Sequence, residues 1–218
     1  MLVERTVPGL HAHLAAVLDK EPRSTAILDV GCGTGAWLNR LAGKGFTTLC
    51  GIDKETAPLD GCDIAMVSED IVHGARALGE RTFDVITAIE VIEHLGNVDS
   101  LFQLAHAVLR PGGNMLITTP NIQSVAARSR FLATGRMRHF DRHGDPTHVF
   151  PILLPCMHRM AERHGFEVEM VWTYPEDRTS YGIGTSARIV AWLLKWICPD
   201  DLPGDVLCLV LKRRPAHV

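Results

Sequence analysis

Ala26-Ile27-Leu28-Asp29-Val30-Gly31-Cys32-Gly33-Thr34-Gly35 is the stretch that decides the architecture. A short apolar run that ends in glycines is the mark of a strand buried on both faces, and such strands belong to parallel sheets. The glycines let the backbone approach a ligand closely. The helix expected next, over residues 36–42 and closed by Gly43 and Gly45, offers free N–H groups at its start.

Outward from this loop the pattern recurs. Residues 10–18 repeat apolar side chains at helical spacing, and Glu21-Pro22-Arg23 break them. Strands are expected at 47–52, 64–67, 83–89 and 114–119, with a helix at 100–109 that Pro111-Gly112-Gly113 terminates. A helix at 153–163, a strand at 167–172, a helix near 187–197 and a strand at 206–211 complete the chain. Strands alternating with helices imply a doubly wound α/β sheet, because each parallel crossover needs a connecting helix. Residues 121–151 and 174–204 interrupt the rhythm. They are too long for ordinary connections and read as helical lid or substrate insertions within a single domain spanning 1–218.

Composition narrows the function. A net charge of −3 gives no electrostatic case for nucleic-acid binding. The six cysteines, Cys32, Cys50, Cys62, Cys156, Cys198 and Cys208, form no C-x-x-C pair, which argues against a zinc ribbon or a dithiol site. Residues 1–10 contain Glu4, Arg5 and Pro8 and no continuous apolar run, so no secretory leader is read there, and a reducing cytoplasm is expected. The apolar segment near 187–197 is too short to span a bilayer. It fits packing on the sheet first, then peripheral membrane contact or a homodimer face.

The glycine loop alone is ambiguous, since Gly31, Gly33 and Ala36 also satisfy the dinucleotide pattern G-x-G-x-x-G/A. The acids around it separate the two cofactors. Asp29 at the strand end would repel a pyrophosphate but suits the cationic methionyl end of S-adenosylmethionine. Asp53 ends the second strand, where a carboxylate takes ribose hydroxyls. Asp70 follows the third strand, placed to accept from an adenine amino group, with Ile71 against the ring.

Ile27 to Gly35 resembles the first motif of class I S-adenosylmethionine-dependent methyltransferases, and Gly51-Ile52-Asp53 resembles their second. Phe83-Asp84-Val85-Ile86-Thr87-Ala88-Ile89-Glu90-Val91-Ile92-Glu93-His94-Leu95 is similar to their fourth, and Leu109-Arg110-Pro111-Gly112-Gly113 to the turn before their fifth strand. The match spans roughly residues 25–120. It implies S-adenosylmethionine as cofactor and a seven-stranded Rossmann-like sheet with an antiparallel last strand. Asp29, Gly31, Cys32, Gly33 and Gly35 would then line the methionyl and ribose side, and Asp53 would hold the ribose. Asp70 and Ile71 would hold adenine, with Ile89 and Glu90 flanking the sulfonium. The stretch from Thr119-Pro120-Asn121 to Pro151-Ile152 resembles methyltransferases of surface-polysaccharide and lipid-linked glycan synthesis. That implies a lid over a small sugar-like acceptor, with Arg128, Arg130, Arg136 or Arg138 available for a phosphate.

Methyl transfer from a sulfonium is a direct displacement, and a hydroxyl acceptor must also lose a proton. His94, directly after the fourth strand, and His148, in Asp145-Pro146-Thr147-His148, are the candidate bases. A sharper alternative uses the i, i+3, i+4 spacing of Glu90, Glu93 and His94. On one helical face, and joined by His148, they would suit a divalent metal. That set resembles the metal site of small-RNA 3′-terminal 2′-O-methyltransferases. The reading adopted is metal-free, with an oxygen of a sugar or of a lipid- or nucleotide-linked glycan as acceptor. A nicotinamide-dependent oxidoreductase and a non-catalytic partner subunit are the rivals from other classes.

Overall fold

The structure, a computed structural model, describes residues 2, 4–56, 59, 64–176, 192 and 202–215. Seven strands form one sheet: β1 (Ala26–Val30), β2 (Thr48–Asp53), β3 (Ala65–Ser68), β4 (Phe83–Ile89), β5 (Leu109–Pro120), β6 (Phe166–Tyr174) and β7 (Val206–Arg213). Their order is β3-β2-β1-β4-β5-β7-β6. The first five pair in parallel, and β7 runs antiparallel to both β5 and β6, as the sequence motifs imply. All five residues of β1 are buried, the expected state of a strand covered on both faces.

Alternation along the central strands sorts side chains into two cores. Leu28, Val30, Ile86 and Ala88 pack with Phe102, Leu104 and Ala105 of α4 (Asp99–Val108). Ile27 and Val85 pack on the opposite face with Trp37, Leu38 and Leu41 of α2 (Ala36–Gly43) and with Leu10 and Leu14 of α1 (Leu10–Val17). The chain passes outward from β1 in both directions of the sheet, so the carboxyl ends of β1 and β4 flank the crevice where ligands bind in such sheets.

The structure revises the sequence reading in several places. Pro111-Gly112-Gly113 does not end the helix. α4 stops at Val108, pairing with β4 starts at Leu109, and the three residues form an irregularity between the Phe83–Leu109 and Val85–Asn114 pairs. A short helix, α3 (Gly74–Leu78), follows a 3₁₀ turn at Ile71–His73 that periodicity gave no hint of. The stretch 121–151 contains a ten-residue helix, α5 (Val125–Thr134). Ser124 Oγ accepts from Ala127 N at 3.1 Å to start it, and Gly135 in the left-handed region (φ 66°) stops it. α6 (Leu154–Arg163) then returns the chain to β6. Most of the segment near 187–197, together with Cys62 and Cys198, lies outside the described residues. Among the described residues no helix is long and apolar enough to cross a membrane.

Candidate active site

The glycine loop is drawn tightly against the end of β2. Gly31 N donates to Ile52 O at 2.8 Å, and Gly33 N donates to Asp53 Oδ2 at 2.8 Å. Gly31 has φ 71°, and a Cβ there would meet a Val91 methyl at 2.4 Å, so any side chain at this position would be both strained and crowded. Cys32 turns its side chain into the core beside Leu38, where burial raises its thiol far above the usual range, so only its backbone faces the loop.

Asp29, at the end of β1, is only 3% exposed. Its Oδ1 accepts from Thr87 Oγ1 at 2.7 Å, and Thr87 Oγ1 in turn accepts from Trp37 Nε1 at 3.1 Å. Burial is the largest influence on the carboxyl and pushes it up to about 7, with Thr87 opposing and Asp53 adding to the rise. Sequence reasoning missed Thr87 and Trp37. The legible signal was a hydroxyl inside the otherwise apolar β4.

Asp70 is engaged locally: Oδ1 accepts from Val72 N at 3.0 Å and Oδ2 pairs with Lys54 at 3.2 Å. These contacts, Val72 first, hold it below the usual carboxylate range. Ile71 is half-buried against the α4-side core, and Ile89 is buried at the end of β4.

Beyond Ile89 the chain turns sharply. Glu90 has φ 53°, a left-handed conformation rare for a side chain with a Cβ and often stored at functional sites. Its N–H donates to Thr118 Oγ1 at 3.0 Å, and its Oε1 accepts from the same hydroxyl at 3.1 Å. Burial pushes this carboxyl up to about 7. A 3₁₀ turn follows at Ile92–His94.

Glu93 is fully buried, and neither carboxyl oxygen has a hydrogen-bond partner among the described residues. The Thr119 hydroxyl lies near enough to favour ionisation slightly without being aligned to bond. Burial, then the Glu90 carboxylate, hold Glu93 well above the usual range. The Glu93 carbonyl accepts from both Val149 N (2.9 Å) and Phe150 N (3.0 Å), which pins the end of the long insertion over the site.

His94 and His148 meet here with ring centroids 4.7 Å apart at 72°. His94 Nδ1 lies 2.9 Å from Thr147 Oγ1 and 3.2 Å from Thr147 O. Since Thr147 Oγ1 donates to Asp145 Oδ1, both groups facing the imidazole accept, and Nδ1 carries the proton. His148 Nδ1 faces the His139 carbonyl at 3.1 Å, which selects the same tautomer. Each ring therefore keeps Nε2 as a lone pair, with no hydrogen-bond partner among the described residues. Burial, then the neighbouring His148, lower His94 below the ordinary imidazole value. One ligand atom from each of Glu93, His94 and His148 lies within 4.8 Å of the others.

Of the four residues in the alternative metal reading, the structure brings three together, Glu93, His94 and His148. Glu90 precedes the helical turn instead of sharing its face, and its carboxyl is turned to Thr118 on β5. The insertion's arginines are also mostly engaged: Arg130 with Asp141 at 2.8 Å, Arg138 with Asp205 at 3.5 Å, and Arg128 Nε with the Gln123 carbonyl. Arg136 is exposed.

Residues 4–171 match the family described as methyltransferase domain. The chain is similar to a ubiquinone biosynthesis O-methyltransferase of Actinobacillus pleuropneumoniae, 36% identical over 107 residues that cover 44% of this chain and 45% of that one. A probable S-adenosylmethionine-dependent methyltransferase of Mycolicibacterium smegmatis is 30% identical over 178 residues, 76% of this chain and 65% of the relative. The chain thus spans about half the length of the ubiquinone-type relatives it matches. In fold it is similar to a SAM-dependent methyltransferase of Archaeoglobus fulgidus, with TM-score 0.62 and 17% identity, covering 93% of this chain and 94% of that one. It is also similar to the magnesium protoporphyrin IX methyltransferase of Synechocystis, solved with SAH bound, with TM-score 0.59 and 12% identity, covering 93% and 81%. The nicotinamide reading of the glycine loop falls with these matches. The chain belongs to the methyltransferase-domain family.

Proposed function

We propose that the enzyme methylates a hydroxyl oxygen of a small acceptor, a sugar or a lipid- or nucleotide-linked glycan, with His94 or His148 taking the proton. The observation that carries this reading is the pair of imidazoles after β4, each tied at Nδ1 and free at Nε2. Bound S-adenosylmethionine would supply the methyl group and leave as S-adenosylhomocysteine, and Nε2 of the histidine would take the proton that the acceptor hydroxyl loses. The names of the ubiquinone-type relatives support oxygen as the methylated atom.

The test is radiolabelled methyl transfer to a panel of free and nucleotide-linked sugars. Removing a general base costs about 10²- to 10⁴-fold in turnover, and His94→Ala or His148→Ala is expected to show a loss of that order. With His94 as the base, its lowered value means that the wild-type rate should hold to below the ordinary imidazole range and fall only as acid protonates Nε2. Full turnover in both variants would remove the histidines from the mechanism.

One observation favours a second reading. A buried carboxylate with both oxygens unpartnered, next to two imidazoles with free lone pairs, has the donors of a divalent cation site. In that reading Glu93, His94 and His148 would hold an ion that orients and acidifies the acceptor hydroxyl, and an RNA terminus joins the acceptors to try. Calorimetric titration of Mn²⁺ into EDTA-stripped protein saturated with S-adenosylhomocysteine decides it. One tight site lost in Glu93→Gln supports the ion, and no heat of binding leaves the metal-free reading.

A further inference from the structure

Asp29, Thr87 and Trp37 form a chain of polar groups inside the apolar core. Asp29 on β1 and Thr87 on β4 are register partners, and Trp37 reaches them from the first turn of α2. All three are buried, Thr87 completely. Its neighbours along β4, Val85, Ile86, Ala88 and Ile89, are all apolar, and valine would fill the same space. A buried hydroxyl costs stability unless it is bonded. This one accepts from Trp37 Nε1 at 3.1 Å, meets Asp29 Oδ1 at 2.7 Å and lies 3.4 Å from the Leu28 carbonyl.

A threonine hydroxyl has one hydrogen and two lone pairs, and an indole N–H only donates. Trp37 therefore fills one lone pair whatever Asp29 does. When Asp29 is ionised, the single hydrogen goes to Oδ1, and 2.7 Å suits a charge-assisted bond. When Asp29 is protonated, its own proton goes to the second lone pair of Thr87, and the hydroxyl hydrogen turns to Leu28 O. Each partner is satisfied in both states, and the changeover needs only rotation about one bond. Burial, opposed by Thr87 and helped by the facing Asp53 of β2, pushes the acid up to about 7. The other titratable group beside it is the Cys32 thiol of the loop, whereas Thr87 on β4 and Trp37 on α2 do not titrate.

S-adenosylmethionine brings a sulfonium and an ammonium to the crevice at the carboxyl end of β1. We propose that its binding drives the Asp29 proton out to solvent, and that the Thr87 hydroxyl, oriented by Trp37, is the positioning group that holds the ionised carboxylate. A nearby cation favours the charged form of an acid. A ligand that favours this form must bind more tightly as pH rises. The proposal rests on the methionyl end lying by β1, as the sequence motif implies, and is independent of the acceptor and of the base that serves it.

The test is the dissociation constant of S-adenosylmethionine for the full chain, measured by calorimetry at several pH values. Affinity should rise about tenfold between about pH 5.5 and about pH 7.5 in wild type. Histidines that lose charge over this range contribute to the rise in every variant, so the comparison with Asp29→Asn is what counts. In that protein the rise should shrink to the histidine contribution. Thr87→Val keeps the packing and loses the donor, so it should move the rise to higher pH and weaken binding several-fold near neutrality. Thr87→Ser should restore both, and a cooperative melt confirms that each variant is folded. A profile for Asp29→Asn parallel to wild type would overturn the proposal. So would a Thr87→Val protein weakened by the same factor at every pH, which would assign the threonine to packing alone.

Discussion

At the scale of single residues, three acids lie close together with three different fates. Asp29 is held by Thr87, Glu90 by Thr118, and Glu93 by nothing among the described residues. Asp29 carries a measurable consequence. A buried acid raised from the usual carboxylate value to about 7 favours folding below the unfolded pKa, and that contribution is lost as pH rises from about 4 to 7. The lowered histidines His11, His94 and His139 work in the opposite sense over much of the same range, so the raw stability profile mixes both signs. The difference between wild type and Asp29→Asn isolates the acid. In cofactor-free protein the variant should gain on wild type in melting temperature as pH rises from 4 to 7, then run parallel to it. A difference that stays flat with pH would show that Asp29 is already ionised.

At the scale of elements, what the sequence disclosed follows burial. β1 and β4 were readable to the residue, because strands covered on both faces keep a continuous apolar run. α5 was not, since most of its residues from Arg130 onward face solvent and leave no apolar stripe to detect. Its start was written only in Ser124, a cap with no pattern behind it. Ser124→Ala should lower stability by about 1 kcal/mol, seen as a drop of about 2–4 °C in the melting temperature. Ser124→Asp should restore it. An unchanged melting temperature would mean that α5 is held by its tertiary ties alone.

At the scale of the whole molecule, seven strands and an antiparallel last one could be inferred from a sequence resemblance, whereas the convergence of the site could not. Glu93 and His148 are separated by more than fifty residues, and no periodicity links them. The spacing of Glu90, Glu93 and His94 even suggested a shared helical face, which the left-handed turn at Glu90 removes. The proposed cofactor side lies on the sheet, whose motifs are local and contiguous. The proposed acceptor side also needs His148, which the insertion brings against His94. One residue belongs to both sides. Glu93 turns its carboxyl into the site and its carbonyl to the amides of Val149 and Phe150. Side chain and backbone of that residue belong to one short turn, so any displacement of the turn disturbs the buried acid and the anchor of Val149 and Phe150 together.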